Sequence, residues 1–429
     1  MAQKRIGVIM GGFSSERHIS LESGRNVYAK LSASKIYKPL PIFLSGSVQS
    51  HRLFILPIAL LLKDNADDVH KCLLNLEGFD GKDVLLQSFR EKAKNITQLY
   101  GRDAIFTPQE LSYDLLASYV DFVFIALHGR PGEDGSIQKI LEALDIPYNG
   151  SGIKTTALTI DKHKTNSFLR QEGFTVATQY VVSKEDVCKD RFSWISAAEK
   201  KFTYPIIAKP VDDGCSMGVA KILNRDMLCT YADQCFFTTS DSGKGFLEHT
   251  NGYPARSSFL LEECIQKDLS AVDCFEITVG LLTHVDQNNK TLYDVFEPSE
   301  VFASTSILSL AEKFLAGEGH NITPARFCKD TKASLAITEI VKKEIKRAAA
   351  ALDIQGYARI DAFVKIGHNR DVSVWIIEVN ALPAMTPATC LFHQCVLRGY
   401  TPLNFIESII QYGFTKRNFQ SSKTDDLHR

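Results

Sequence analysis

The sequence predicts a mixed α/β and α+β fold, and three observations carry that reading. Arg5 to Met10 is a short apolar run that ends at Gly11-Gly12, followed by the polar residues Ser14-Ser15-Glu16 and a helical segment through Leu21, Gly24 and Val27. Strand, glycine turn, polar cap and helix in that order open an α/β domain. Asp121 to Leu127 is a second run of buried-strand character, ended by a glycine-bearing loop, His128 to Gly135. Near the C-terminus, Tyr357 to Val364 and Val374 to Asn380 alternate apolar and polar residues around the turn Gly367 to Asp371, the pattern of an antiparallel hairpin.

Taken in order, the elements are as follows. Residues 45–115 are poorly patterned, with mixed charges and scattered apolar clusters. A helix carrying Ile137, Ile140, Leu141 and Leu144 follows the second strand. Ile153 to Glu172 reads as one helix with Gly173 just past its end. Tyr204 to Lys209 is a strand closed by Pro210. Val211 to Gly218 is a polar glycine loop, and Val219 to Ile222 another short strand. Thr, Ser, Asp and Gly cluster in residues 231–256, which read as a surface insertion. Ser258 to Glu263 and Phe275 to Leu282 are further strands. Residues 303–326 form a long loop, and loops of that length are commonly functional lids or disordered. Lys332 to Leu352 is the best-patterned helix, with Leu335, Ile337, Ile340, Val341, Ile345, Ala348, Ala349 and Leu352 at helical spacing.

Length and composition bound the function. With 429 residues, about three domains are expected. Lys and Arg total 49 against 50 Asp and Glu, so a nucleic-acid partner is not indicated. Leu53 to Leu62, the most apolar stretch, is too short to span a bilayer, and the N-terminus lacks a signal-peptide pattern. The 10 cysteines form no CxxC pair and no secreted framework, so reduced thiols and a cytoplasmic location are expected.

The hairpin carries the chemistry. Taken as unbulged and centred between Asn369 and Arg370, it sets Asp361 opposite Glu378 and Arg359 opposite Asn380, all on one face. Two carboxylates directly opposite repel unless a cation lies between them. Carboxylates and an amide supply only hard oxygens, which suits Mg²⁺ bridging phosphates; a solvated polar sheet face is the alternative. Lys209, at a strand end before the glycine loop, fits a phosphate ligand or a snorkelling surface lysine, and Lys162 likewise. Glu262-Glu263 ends a strand that could meet an adenine edge, or could simply be a charged edge guarding against aggregation.

Together these segments resemble the ATP-grasp superfamily and, within it, the D-alanine–D-alanine ligase family. Gly11-Gly-Phe-Ser-Ser-Glu16 with Ile19 to Gly24, Ala126-Leu-His-Gly129 with Gly132 to Gly135, Tyr148 to Gly152, Ala208-Lys-Pro210, Gly214 to Gly218, Gly356 to Asp361 and Glu378 to Thr386 appear in the family's order. The resemblance implies an ATP-grasp fold with an N-terminal Rossmann-like domain over 1–150, irregular around 45–115. A central subdomain over 151–256 and a C-terminal domain over 257–429 would follow, the latter carrying the metal hairpin and the closing loop.

It also implies roles. Asp361, Glu378 and Asn380 would hold two Mg²⁺ ions, with Mn²⁺ as a substitute. Lys162 and Lys209 would contact the phosphates of ATP, Glu262 the adenine amino group, backbone at Glu263 and Ile265 the same edge, and Glu276 the ribose. Lys313 would reach the terminal phosphate from the long loop. Glu16 would orient the ammonium of the first D-alanine, His128 would lie near its carboxylate, and Arg359 would stabilise the tetrahedral intermediate, with Ser216 of the glycine loop in the catalytic set. The implied product is D-alanyl-D-alanine for peptidoglycan, made by a cytoplasmic homodimer.

Several positions depart from the family pattern. Phe314 replaces a tyrosine, Cys215 a serine, Ala384 a glycine, and Thr389 and Cys390 a serine and a leucine. By the resemblance, all would lie around the second substrate. D-lactate or another D-amino acid as acceptor, another carboxylate–amine ligation, and a silent nucleotide-binding paralogue are therefore the competing readings.

Overall fold

The structure, a computed structural model, describes residues 3–74, 88, 92, 105, 107–212, 218–237, 257–266, 271–302 and 321–427. The glycine loop at 213–217, with Cys215 and Ser216, and the closing loop with Lys313 and Phe314 lie outside the described residues. The chain divides into two compact units.

The first unit comprises Met1–Asn149, Ala384–Pro387 and Pro402–Arg429. Its sheet has strands β1 (Lys4–Gly11), β2 (Tyr37–Gly46), β3 (His51–Ile55), β4 (Gln109–Leu111) and β5 (Phe122–Ile125), in the order β4-β3-β2-β1-β5. β1 lies parallel to β2 and β5, as the apolar, unalternating runs predict. Helix α1 (Arg17–Leu31) packs on β1 through Gly24, where a Cβ would come within 2.6 Å of Met10 Cβ. The stretch 45–115 is not irregular in its described part. It supplies β3 and β4, paired antiparallel beside β2, and the helices Ala66–Leu74 and Tyr113–Tyr119. Its apolar positions are spread over short elements with no sustained period, which is why the pattern did not reveal them.

The second unit comprises Gly150–Pro383 and Ala388–Thr401. A four-stranded antiparallel sheet holds β7 (Gln179–Ser183), β8 (Ile206–Pro210), β9 (Ala220–Ile222) and β10 (Ser258–Glu263), ordered β7-β10-β8-β9. Helices Ser193–Lys201 and Arg225–Phe236 back it through Trp194, Ile195, Leu228 and Tyr231. The supposed insertion at 231–256 therefore begins inside a helix, since Tyr231, Ala232, Cys235 and Phe236 are buried in this core; residues 238–256 lie outside the described residues.

The larger sheet runs β14 (Asn321–Ile322), β13 (Ser299–Val301), β11 (Ala271–Val285), β15 (Tyr357–Gly367), β16 (Val372–Asn380) and β6 (Thr175–Val176), with β12 (Thr291–Val295) on β11. The 21-residue helix Thr331–Ala351 covers one face, burying Ile337, Val341, Ile345, Ala348 and Ala349 against Ile360, Ala362 and Val364. Leu335 and Ile340, expected on its apolar face, are exposed.

The helix expected over 153–172 is two, Ile153–Thr159 and Lys162–Gln171. Asp161 sits between them with extended backbone and caps the second, accepting from Lys164 N at 2.9 Å. An aspartate that bonds the backbone ahead of it breaks a helix even where apolar spacing continues. Gly173 ends the pair at φ +78°, as read from the sequence.

Candidate active site

Within the second unit the site is built on the sheet face opposite the long helix. Alternation sends Ile360 and Ala362 into the core and Arg359 and Asp361 to the other side. The register pairs Arg359 with Asn380 and Asp361 with Glu378, as expected. The hairpin departs from an unbulged one in two ways that cancel. The turn is centred on Asn369, with Ile366 opposite Val372, and a bulge between Asp361 and Ala362 leaves Ile377 unpaired and restores the register.

These four side chains form one network. Arg359 grips Asp361 with two bonds of 3.0 Å, and Thr278, directly across on β11, donates to Asp361 Oδ1 at 2.7 Å. The Asn380 amide admits two orientations. One places its nitrogen 3.3 Å from Glu378 Oε1 and its oxygen 2.7 Å from Arg359 Nη2. The other sets amide oxygen against carboxylate oxygen and amide nitrogen against the Arg359 guanidinium, a mismatch at both ends, so the first orientation is the one the network supports. Lys162, at the start of the second helix and only 7% exposed, brings Nζ to 3.6 Å from Glu378 Oε1. Among the described residues no group of three or more His, Cys, Asp or Glu side chains is gathered. The facing carboxylates of Asp361 and Glu378 offer hard oxygens of the kind that fit Mg²⁺, with the Asn380 amide oxygen beside them on Arg359.

Helix Cys390–Leu397 supports this face. Gln394 donates to Thr278 O at 2.9 Å and to Ser299 Oγ at 2.8 Å, and accepts from Gly280 N at 2.7 Å. A cavity of about 30 Å³ lies here, lined by Glu276, Thr278, Arg359, Asp361, Thr389 and Cys390, among others. Five residues singled out in the sequence thus share one cavity. Burial pushes the Cys390 thiol above its ordinary pKa, so it stands there as a neutral group.

Lys209 is held by a different partner. On the four-stranded sheet its Nζ meets Glu262 Oε2 at 2.6 Å, and Gln179 Nε2 donates to Glu262 Oε1 at 2.6 Å. Glu263 Oε1 accepts from Thr178 N at 3.0 Å. Glu263, Cys264 and Ile265 line a second cavity of about 370 Å³ with Lys365, Ser373 and Trp375. Of the two lysines read as phosphate ligands, Lys209 lies on β8 and Lys162 at a helix start, and Lys162 N donates to Val211 O at 3.0 Å, two residues past Lys209.

In the first unit, Glu16 is the N-cap residue of α1 and is buried, as is His128. Ser14 Oγ donates to His128 O at 2.6 Å and accepts from Glu16 N at 3.2 Å. Ser23 Oγ lies 2.9 Å from His128 Nε2 and accepts from Met385 N at 3.0 Å, while Asn26 Nδ2 donates to Met385 O at 2.7 Å. Buried Ala384 precedes this clasp.

The sequence marks no functional role for Ser23, Asn26, Gln179, Thr278 or Gln394. Ser23 and Asn26 face inward at helical spacing, a detectable but weak signal. Thr278, Gln179 and Gln394 act across strands distant in sequence, and no local pattern reports that.

Models of the D-ala D-ala ligase N-terminus and C-terminus match residues 5–151, and residues 168–241 with 264–411. A D-alanine–D-alanine ligase of Chlorobaculum tepidum is 24% identical over 423 residues, covering 97% of this chain and 99% of the relative. One of Halalkalibacterium halodurans is 29% identical over 284 residues, covering 66% and 78%. Among solved structures, the VanG D-Ala:D-Ser ligase of Enterococcus faecalis is similar at TM-score 0.64 and 20% identity, covering 96% of this chain and 100% of its own. The Bacillus anthracis D-alanine–D-alanine ligase complexed with ATP gives 0.60 at 20%, covering 98% and 100%.

Proposed function

The chain belongs to the D-alanine–D-alanine ligase family of ATP-dependent ligases, and from that premise we propose that it joins two D-alanine molecules through an acyl phosphate to give D-alanyl-D-alanine for peptidoglycan. The observation that carries the reading is the facing pair Asp361 and Glu378, flanked by Arg359 and Lys162 on one polar sheet face. Such a face serves a polyanion held with divalent cations rather than a neutral ligand.

In the first step the carboxylate of one D-alanine attacks the γ-phosphorus of ATP, giving D-alanyl phosphate and ADP. In the second, the amine of the other D-alanine attacks the acyl carbon, loses a proton and expels phosphate. Mg²⁺, held by Asp361, Glu378 and Asn380, would neutralise charge on the phosphate oxygens. Lys162 steadies the phosphates beside Glu378. Lys209, paired with Glu262, serves the base end of the nucleotide and the phosphate nearest it, and Glu262 accepts from the adenine amino group. Backbone at Glu263 and Ile265 completes the base contact, and Glu276 takes the ribose hydroxyls. Arg359 offers a fixed positive charge to the tetrahedral oxyanion. Glu16 accepts the ammonium of the first D-alanine, and His128 faces its carboxylate. Lys313 and Ser216, outside the described residues, are assigned to the same catalytic set, and the acyl phosphate requires shielding from water.

Along the chain we propose N-terminal, central and C-terminal domains over 1–150, 151–256 and 257–429, with Ala384–Pro387 and Pro402–Arg429 grouping with the first stretch. No described helix is long and apolar enough to cross a membrane, and a cytoplasmic homodimer is the assembly expected.

The test is phosphate release from Mg-ATP with D-alanine, D-serine and D-lactate as acceptors, products identified by mass. Release that depends on D-alanine and yields the dipeptide supports the assignment; ATP binding without turnover overturns it.

A further inference from the structure

The segment between β2 and β5, for which the family resemblance gives no role, touches the substrate loop at both ends. On one side Arg17, the residue after Glu16, forks onto Asp67 of helix Ala66–Leu74, Nε to Oδ1 at 2.6 Å and Nη2 to Oδ2 at 2.9 Å. The same guanidinium donates through Nη1 to Ser14 O at 3.2 Å, so one side chain ties the helix to the loop. His18 adds to this contact, its Nδ1 accepting from Ala66 N at 3.3 Å. On the other side Phe13 packs against the His51 ring of β3, centroids 6.1 Å apart, and His51 Nε2 lies 3.0 Å from the Tyr113 hydroxyl.

Phe13 and Arg17 thus bracket Ser14-Ser15-Glu16. Ser14 carries the bonds to His128 O and Glu16 N, so a shift of Ser14 moves both groups assigned to the first D-alanine. The Arg17–Asp67 pair is half-exposed, where an ion pair adds little to global stability. A bidentate fork does fix geometry, and a small displacement at a substrate-orienting group is costly in affinity.

We propose that Asp67 is a positioning residue for the first D-alanine, acting through Arg17 to hold the Glu16 loop. The inference rests on the assignment of Glu16 to that substrate. Asp67→Asn keeps the shape but weakens the fork; Asp67→Glu keeps the charge; Arg17→Lys keeps the charge and removes the fork.

The experiment fits separate constants for ATP, the first D-alanine and the second, alongside a thermal melt. Asp67→Asn and Arg17→Lys are expected to raise the first D-alanine constant at least fivefold. The ATP constant should stay within twofold and the melting temperature within a few degrees, and Asp67→Glu should recover much of the loss. Constants unchanged in both variants, or a uniform loss that tracks a lowered melting temperature, overturn the proposal. Glu16→Ala separates the two layers. If it raises the first D-alanine constant and the Asp67 and Arg17 variants do not, the positioning inference fails alone. If it leaves that constant unchanged, the assignment of Glu16 fails.

Discussion

Lys209 and Glu262 form a buried ion pair across β8 and β10, Nζ to Oε2 at 2.6 Å, with both side chains over nine-tenths buried. Two charges taken out of water cost free energy that their attraction returns only when the remaining donors and acceptors are met. Gln179 meets one of them, at the other oxygen of Glu262. Removing one partner strands a charge and costs about 3–5 kcal/mol, whereas replacing both with apolar groups is often neutral. Glu262→Leu should therefore lower the urea-unfolding free energy by about 3 kcal/mol, and adding Lys209→Met should restore most of it. Neither variant should bind ADP in calorimetry. A double variant no more stable than the single would mean that the stranded charge is not the cause.

Glu378 faces both Asp361 across the hairpin and Lys162 from the neighbouring helix. Glu378→Gln keeps the volume and removes one negative charge from the sheet face proposed to hold the cation. The fold should survive, because Glu378 lies outside the apolar side of the sheet. Turnover of Mg-ATP should drop at least tenfold, about 1.4 kcal/mol or more on the barrier, and part of the loss should return at high Mg²⁺. A rate close to wild type at low Mg²⁺ removes Glu378 from the metal site.

How much of this site was legible depends on the distance its information spans in the chain. Asp361 and Glu378 were found because alternation is local and the hairpin closes over a short turn. The pairing held even though a misplaced turn centre and an unforeseen bulge each shifted it by one residue. Thr278 was not found, because the register of β11 against β15 joins residues some eighty apart. The break at Asp161 was missed for a different reason. Apolar spacing continues through it, and the capping bond that decides the matter needs only one short polar side chain. That break is what sets Lys162 at a helix start beside Glu378. Helix Ala66–Leu74, clear in the structure, is short and lies among mixed charges, too little periodicity to rise above its surroundings.

Acid should weaken the first unit through its carboxylates. The Arg5 guanidinium, bonded to Asp121 at 2.7 Å, holds that carboxyl below the ordinary range. A carboxylate whose folded pKa is depressed stabilises the fold above its unfolded pKa, roughly 3.9 for Asp, and loses that contribution as pH falls through the folded value. Urea midpoints should thus fall between pH 6 and pH 3, and Arg5→Gln should shrink the drop by raising the folded pKa of Asp121. An identical drop in the variant would show that the pair is not part of the acid response.

Gly129, directly after His128, tests whether the loop geometry in the first unit matters to the reaction. Its φ is +64°, and a Cβ there would come within 2.9 Å of Ser14 Cβ and 3.5 Å of Glu16 Oε2. Gly129→Ala meets two penalties together, a left-handed backbone that alanine resists and a methyl group pressed on the loop, on the order of 1–3 kcal/mol. The cheaper relief is to push Ser14 outward, which breaks its bond to His128 O and carries Glu16 with it. The first D-alanine constant should rise at least fivefold with little change in the ATP constant, because the cation face and the Lys209–Glu262 pair belong to the second unit. Equal weakening of both constants would mean that the strain spreads through the fold instead of staying in the loop.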